Sequence, residues 1–130
     1  MPAEEKESPY SLEDYAGFLS ALSDSGLDVL VIGGCAVGAY AALQGETVFS
    51  RDLDVYTTLD TQMQVMEWAP GHGARIVQRP QPRALSVVFL EWKGKEVNVL
   101  TGGSRPRFSL SLARLGRYLH PAIPGCPPSR

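Results

Sequence analysis

The residues of this chain best suited to chemistry are two carboxylates one residue apart, Asp52 and Asp54, in Ser50-Arg51-Asp52-Leu53-Asp54-Val55-Tyr56. Alternate residues of a strand share a face, so both acids aim at one point. Two carboxylates so placed repel by roughly 2–3 kcal/mol at about 6.5 Å and an effective dielectric near 20. A strand end that needed only polarity would be served by Ser, Thr or Asn without that cost. A divalent cation reverses the sign of the interaction. Upstream, the apolar run Val31-Ile32 ends in Gly33-Gly34, followed by a helical segment. Backbone N–H groups at such a helix N-terminus bind phosphate well. Metal-binding acids beside a phosphate cradle predict chemistry on a nucleotide, which needs position and charge neutralisation more than covalent machinery.

The elements that position these groups follow from periodicity. Ser11-x-x-Asp14 is a near capping box. Tyr15, Phe18, Leu19 and Leu22 then fall at i, i+3, i+4 and i+7 of a helix ended by Ser23-Asp24-Ser25-Gly26. Asp28 to Ile32 reads as a strand buried on both faces. Cys35 to Leu43 reads as a helix whose small residues permit close approach to a sheet. Leu53 to Thr57 is the second strand, and Asp60 is a candidate cap for a helix through Met63, Met66 and Trp68 that stops at Pro70-Gly71. Ala74 to Gln78 is a third strand. Leu85 to Trp92, the Lys93-Gly94 turn and Lys95 to Leu100 form an antiparallel hairpin. Phe108, Leu112, Leu115 and Leu119 fit a last amphipathic helix. The expected fold class is α/β (α+β in stricter terms), a small mixed sheet with helices mainly on one face. Residues 1–9 read as disordered, 10–120 as a single domain and 121–130 as a Pro-rich tail.

Bulk properties narrow the partners. The 130 residues are 44% hydrophobic and 20% charged, ordinary for a globular domain with one core. A net charge of -2 argues against an extended basic surface for nucleic acid. The longest sheet-like apolar run, Ala84 to Leu90, is too short for a membrane span. The acidic, polar N-terminus is unlike a secretory signal, so the chain reads as cytoplasmic. Cys35 and Cys126 make neither a disulfide framework nor a metal-ligand spacing, and Cys35 stands where a small buried residue is wanted.

A Gly-Gly strand–helix turn followed by Arg-Asp-x-Asp on a strand resembles the DNA polymerase beta nucleotidyltransferase superfamily. The likeness is strongest to its small bacterial members, the minimal nucleotidyltransferases and the toxin-type enzymes of toxin–antitoxin pairs. It spans residues 12–100 in order of elements and is sharpest over 31–56. The resemblance implies that Gly33 and Gly34 hold a nucleotide's phosphates. It also implies that Asp52 and Asp54 bind Mg²⁺ or Mn²⁺, and that a third acid from a later strand activates the acceptor hydroxyl. Arg51 matches an arginine common before the acids, and Ser50 is either a minor ligand or a turn hydroxyl. The strand that should carry the third acid reads Lys95-Glu96-Val97-Asn98-Val99-Leu100, with Asn98 at the aspartate position. Asn offers a neutral carbonyl oxygen and cannot act as a general base. Glu96 lies on the same face of that strand, about 6–7 Å away, and is a candidate substitute.

The implied activity is transfer of a nucleoside monophosphate from a nucleoside triphosphate to an acceptor the sequence does not specify. A dimer or partner subunit would supply the acceptor-binding domain that a chain of this length lacks. Two alternatives stay open. One is a nucleotidyltransferase fold that binds without turnover, for which Asn98 is the direct evidence. The other is a dinucleotide-binding domain, because Gly33-x-Cys35-x-x-Gly38 nearly spells that fingerprint, with Cys where a glycine should let backbone approach the pyrophosphate. Arg51 pairs either with phosphate or with an acid such as Glu46. His72 reads as a surface turn residue, Trp68 and Trp92 as packing residues, and Arg75, Arg79 and Arg83 as surface arginines.

Overall fold

A computed structural model describes residues 10–78, 85–103, 106 and 108–119. The expected tails at 1–9 and 121–130, Arg79, Arg83 and Cys126 lie outside the described residues. Among those described, a 3-10 turn at Leu12–Tyr15 leads into α1 (Ala16–Asp24), followed by β1 (Leu30–Ile32), α2 (Gly33–Ala42) and β2 (Asp52–Tyr56). Then come α3 (Leu59–Trp68), β3 (Ala74–Gln78), β4 (Leu85–Trp92), β5 (Lys95–Gly102), β6 (Leu110–Ser111) and α4 (Leu112–Leu119). The strands form one mixed sheet in the order β3-β4-β5-β2-β1-β6. All neighbours are antiparallel except the central pair, β2 and β5, which run parallel. The α+β class and the mixed sheet are as the sequence predicts.

Strand alternation divides the sheet into a covered and an open face. Val31, Leu53, Val55, Val88, Leu90, Val97 and Val99 are at most 1% exposed and pack with Tyr15, Phe18, Leu19 and Leu22 of the first helical segment. Residues of the opposite alternation, Ile32, Asp52, Asp54, Tyr56, Val87, Phe89 and Leu100, are half-buried. The helices therefore lie mainly on one side. The predicted apolar stripe of the first helix is core throughout, and burying four such side chains contributes about 1.5–3 kcal/mol each. The small residues Cys35, Ala36, Gly38 and Ala39 of α2 are likewise buried.

Gln62 of α3, fully buried, ties that helix to the sheet: its Nε2 donates to the Val99 carbonyl at 2.9 Å and the Ser86 carbonyl at 3.4 Å. Lys93 (φ 52°) and Gly94 (φ 78°) make the two-residue turn of the β4–β5 hairpin. Two successive positive φ values match the right-handed strand twist.

Several expectations need correction. β1 is fully buried at Val31 only, with Leu30 and Ile32 half-buried on the opposite face. It spans Leu30–Ile32 rather than starting at Asp28. The cap of α3 is Thr58, whose hydroxyl accepts from the Thr61 N–H, and Asp60 falls inside the first turn. Phe108 is not part of the last helix. It precedes β6, a strand the sequence did not announce, and its ring lies 5.1 Å from that of Tyr40. Trp68 and Trp92 do pack, both against the Phe18 ring at 5.6 Å. No helix among the described residues is long and apolar enough to cross a membrane.

Candidate functional site

The parallel pairing of β2 with β5 builds the site. Its register sets Asp52 opposite Glu96 and Asp54 opposite Asn98, so four polar side chains from two strands meet on the open face. Asn98 stands between the two aspartates. Its Nδ2 donates to Asp52 Oδ2 at 3.1 Å and to Asp54 Oδ1 at 2.9 Å. A hydrogen bond from an N–H to a carboxylate is stronger than a neutral one, and here a single amide serves two acids. Asn98 is only 8% exposed, and its Oδ1 is buried with no hydrogen-bond partner.

The glycine pair abuts Asp54 and Ser50. Gly33 opens α2 with φ +69°, a conformation that costs an L residue about 1–2 kcal/mol. A Cβ there would lie 3.1 Å from Asp54 Oδ2. A Cβ at Gly34 would lie 3.0 Å from Ser50 Oγ. Both positions are exposed, so glycine keeps the backbone bare beside Asp54 and Ser50. Ser50 is held by a two-bond bridge to Tyr10, and its hydroxyl donates to the Asp52 carbonyl at 2.9 Å. It serves the turn into β2. Arg51, between Ser50 and Asp52, is exposed.

Charge and burial shape the titration. Burial raises the Asp54 carboxyl above its ordinary value, the Asn98 hydrogen bond pulls it back, and the charges of Asp52 and Glu96 raise it further. Cys35, whose Sγ donates to the Asp52 carbonyl at 3.5 Å, is pushed up to about 12 by burial and then by the charges of Asp52 and Asp54. Tyr15 was legible only as a core residue, yet its hydroxyl donates to the Glu96 carbonyl at 3.2 Å and steadies β5 beneath the site. Burial raises its phenol as well. The signal for Tyr15 and Cys35 was limited to their apolar positions, since their polar partners are backbone carbonyls.

Gly33, Gly34, Ser50, Asp52, Asp54 and Asn98 thus come together, with Glu96 beside Asp52 in register. Glu96 is exposed. Among the described residues, no set of three or more His, Cys, Asp or Glu side chains is arranged to hold a metal ion. A cation bound here would take two carboxylates and an amide oxygen, an all-oxygen set suited to a hard ion such as Mg²⁺ or Mn²⁺. The fit is visible in Asn98: the acids converge on a hydrogen-bearing, positively polarised nitrogen, at the point where positive charge is favoured. A cavity of about 470 Å³ opens beside Glu96, bordered by Arg75, Val77, Phe89 and Glu91. That volume falls in the range of small-molecule sites.

No family model, curated protein or solved structure matches the chain. The functional reading rests on the chemistry of the site itself.

Proposed function

We propose that this protein binds a nucleoside triphosphate through a divalent cation and transfers its nucleoside monophosphate to a hydroxyl- or phosphate-bearing acceptor. The observation that carries this reading is the convergence of Asp52, Asp54 and Asn98 against the Gly33-Gly34 turn on the open face. When bound, Mg²⁺ or Mn²⁺ would neutralise phosphate charge and polarise the phosphoryl oxygens. Asp52, Asp54 and Asn98 are the residues that would hold it. The α2 N-terminus at Gly33 and Gly34 receives the phosphates, and Arg51 adds positive charge beside them.

In the transfer, the acceptor oxygen bonds to the α-phosphorus while the bond to the bridging oxygen breaks and pyrophosphate leaves. The acceptor's proton passes to a carboxylate, and Glu96, exposed and next to Asp52, is the group assigned to that task. The cavity beside Glu96 offers room for the acceptor. Incubation with labelled nucleoside triphosphates, Mg²⁺ or Mn²⁺ and candidate acceptors tests the reading. Label transfer that disappears in Asp52→Ala is expected.

A second reading, nucleotide binding without turnover, is favoured by Asn98, which occupies the place of a general base and cannot serve as one. Nucleotide binding with no label transfer, persisting in Asn98→Asp, supports that second reading and overturns the first.

A further inference from the structure

We propose that Asn98 is a two-state ligand whose carboxamide turns over when the site is loaded. Without a cation its Nδ2 bridges Asp52 and Asp54; with one, a half-turn about the Cβ–Cγ bond brings Oδ1 to the same point as a third metal ligand. This inference rests on the cation reading above and extends it to how the site behaves while empty.

Three observations carry it. Nδ2 lies 3.1 Å from Asp52 Oδ2 and 2.9 Å from Asp54 Oδ1, so the amide nitrogen sits where both carboxylates converge. Asn98 is 8% exposed, so its carboxamide is largely shielded from water. Its Oδ1 is buried and unpartnered, an acceptor left without the bond that buried polar groups almost always make. The half-turn therefore forfeits no hydrogen bond at the position Oδ1 vacates. The only bonds lost are the two to the acids, and cation contacts to the same oxygens replace them. Without positive charge, the turned state would set a carbonyl oxygen against two carboxylates, so the amide-inward state is preferred when the site is empty.

An aspartate at this position has no N–H to offer and would face the pair as a third negative charge. Asn98 thus trades cation affinity for two carboxylates that keep a hydrogen bond when no cation is bound. The amide differs from a fixed structural residue in one respect: its effect on stability depends on the metal.

The test follows the side-chain amide resonances of Asn98, assigned by their loss in Asn98→Ala, in the ¹⁵N-labelled protein during Mg²⁺ titration, with binding measured in parallel by calorimetry. The proposal expects the Asn98 pair to start shifted by its carboxylate bonds and to move to a free-amide position as the site saturates. It also expects Asn98→Asp to lower Tm relative to wild type in EDTA and to bind Mg²⁺ at least several-fold more tightly. Mg²⁺ binding with unmoved Asn98 resonances overturns the half-turn while leaving the cation reading intact. Absence of any Mg²⁺ binding, with or without nucleoside triphosphate, overturns both.

Discussion

Asn98 Nδ2 donates to Asp54 Oδ1 at 2.9 Å although the residues are 44 positions apart in the chain. That bond exists because β2 and β5 pair in parallel with Asp54 opposite Asn98. It lowers a carboxyl that burial, Asp52 and Glu96 otherwise raise, and the raising influences win.

The first prediction follows from that sign. Asp54 has a folded-state value above its ordinary 3.8, so between the two values the folded chain binds more protons than the unfolded one. Stability falls as pH rises through that window, and above it the ionised group is a standing cost. Asp54→Asn removes the charge at nearly constant shape. It is expected to raise Tm by a few degrees at pH 7 in EDTA and to flatten the acid-side pH dependence of stability, measured by thermal melts from pH 4 to 8. A lower Tm at every pH contradicts the assignment.

Gly33 combines a φ of +69° with the approach of its missing Cβ to Asp54 Oδ2. Gly33→Ala is expected to destabilise the fold by about 1–2 kcal/mol from the backbone alone. It also displaces the Asp54 carboxylate, so the loss of Mg²⁺-dependent nucleotide binding should exceed what the lost stability explains. Urea melts and calorimetry on the same variant separate the two effects.

Cys35 is 2% exposed, and its thiol is pushed up to about 12. In a Cys126→Ser background it is expected to resist a disulfide reagent at pH 8, with reaction set by unfolding and accelerating sharply in denaturant. Rapid labelling of the native protein would place Cys35 at an accessible surface and contradict the packing of α2 on β2.

Gln62 joins α3 to the Val99 and Ser86 carbonyls by donating to both. Gln62→Glu turns a buried donor into a charge facing carbonyl oxygens and is expected to cost about 3 kcal/mol or more at pH 7. Part of that loss, relative to wild type, should return at pH 5 as the carboxyl takes up a proton and donates in its turn. A loss independent of pH would point to misfit rather than charge.

Much of this is legible in the sequence. The period of Tyr15, Phe18, Leu19 and Leu22 announced a core helix, and Lys93-Gly94 announced a hairpin turn, because both signals are local. The spacing of Asp52 and Asp54 fixed their common face for the same reason. The contact of both acids with the Asn98 amide was not legible, since it depends on which strand lies beside β2 and in what register. Thr58 displaced Asp60 as the cap because a two-residue shift in helix start is below what propensity resolves. β6 is two residues long and carries no periodicity to detect.

The central claim is that Asp52 and Asp54 hold a cation that anchors a triphosphate. Its most direct measurement is calorimetric titration of the wild-type chain and Asp54→Ala with a non-hydrolysable nucleoside triphosphate, in Mg²⁺ and in EDTA. Binding by the wild type in Mg²⁺ alone, absent in a folded Asp54→Ala, is the predicted result. Equal binding by both proteins, or binding indifferent to EDTA, would contradict it.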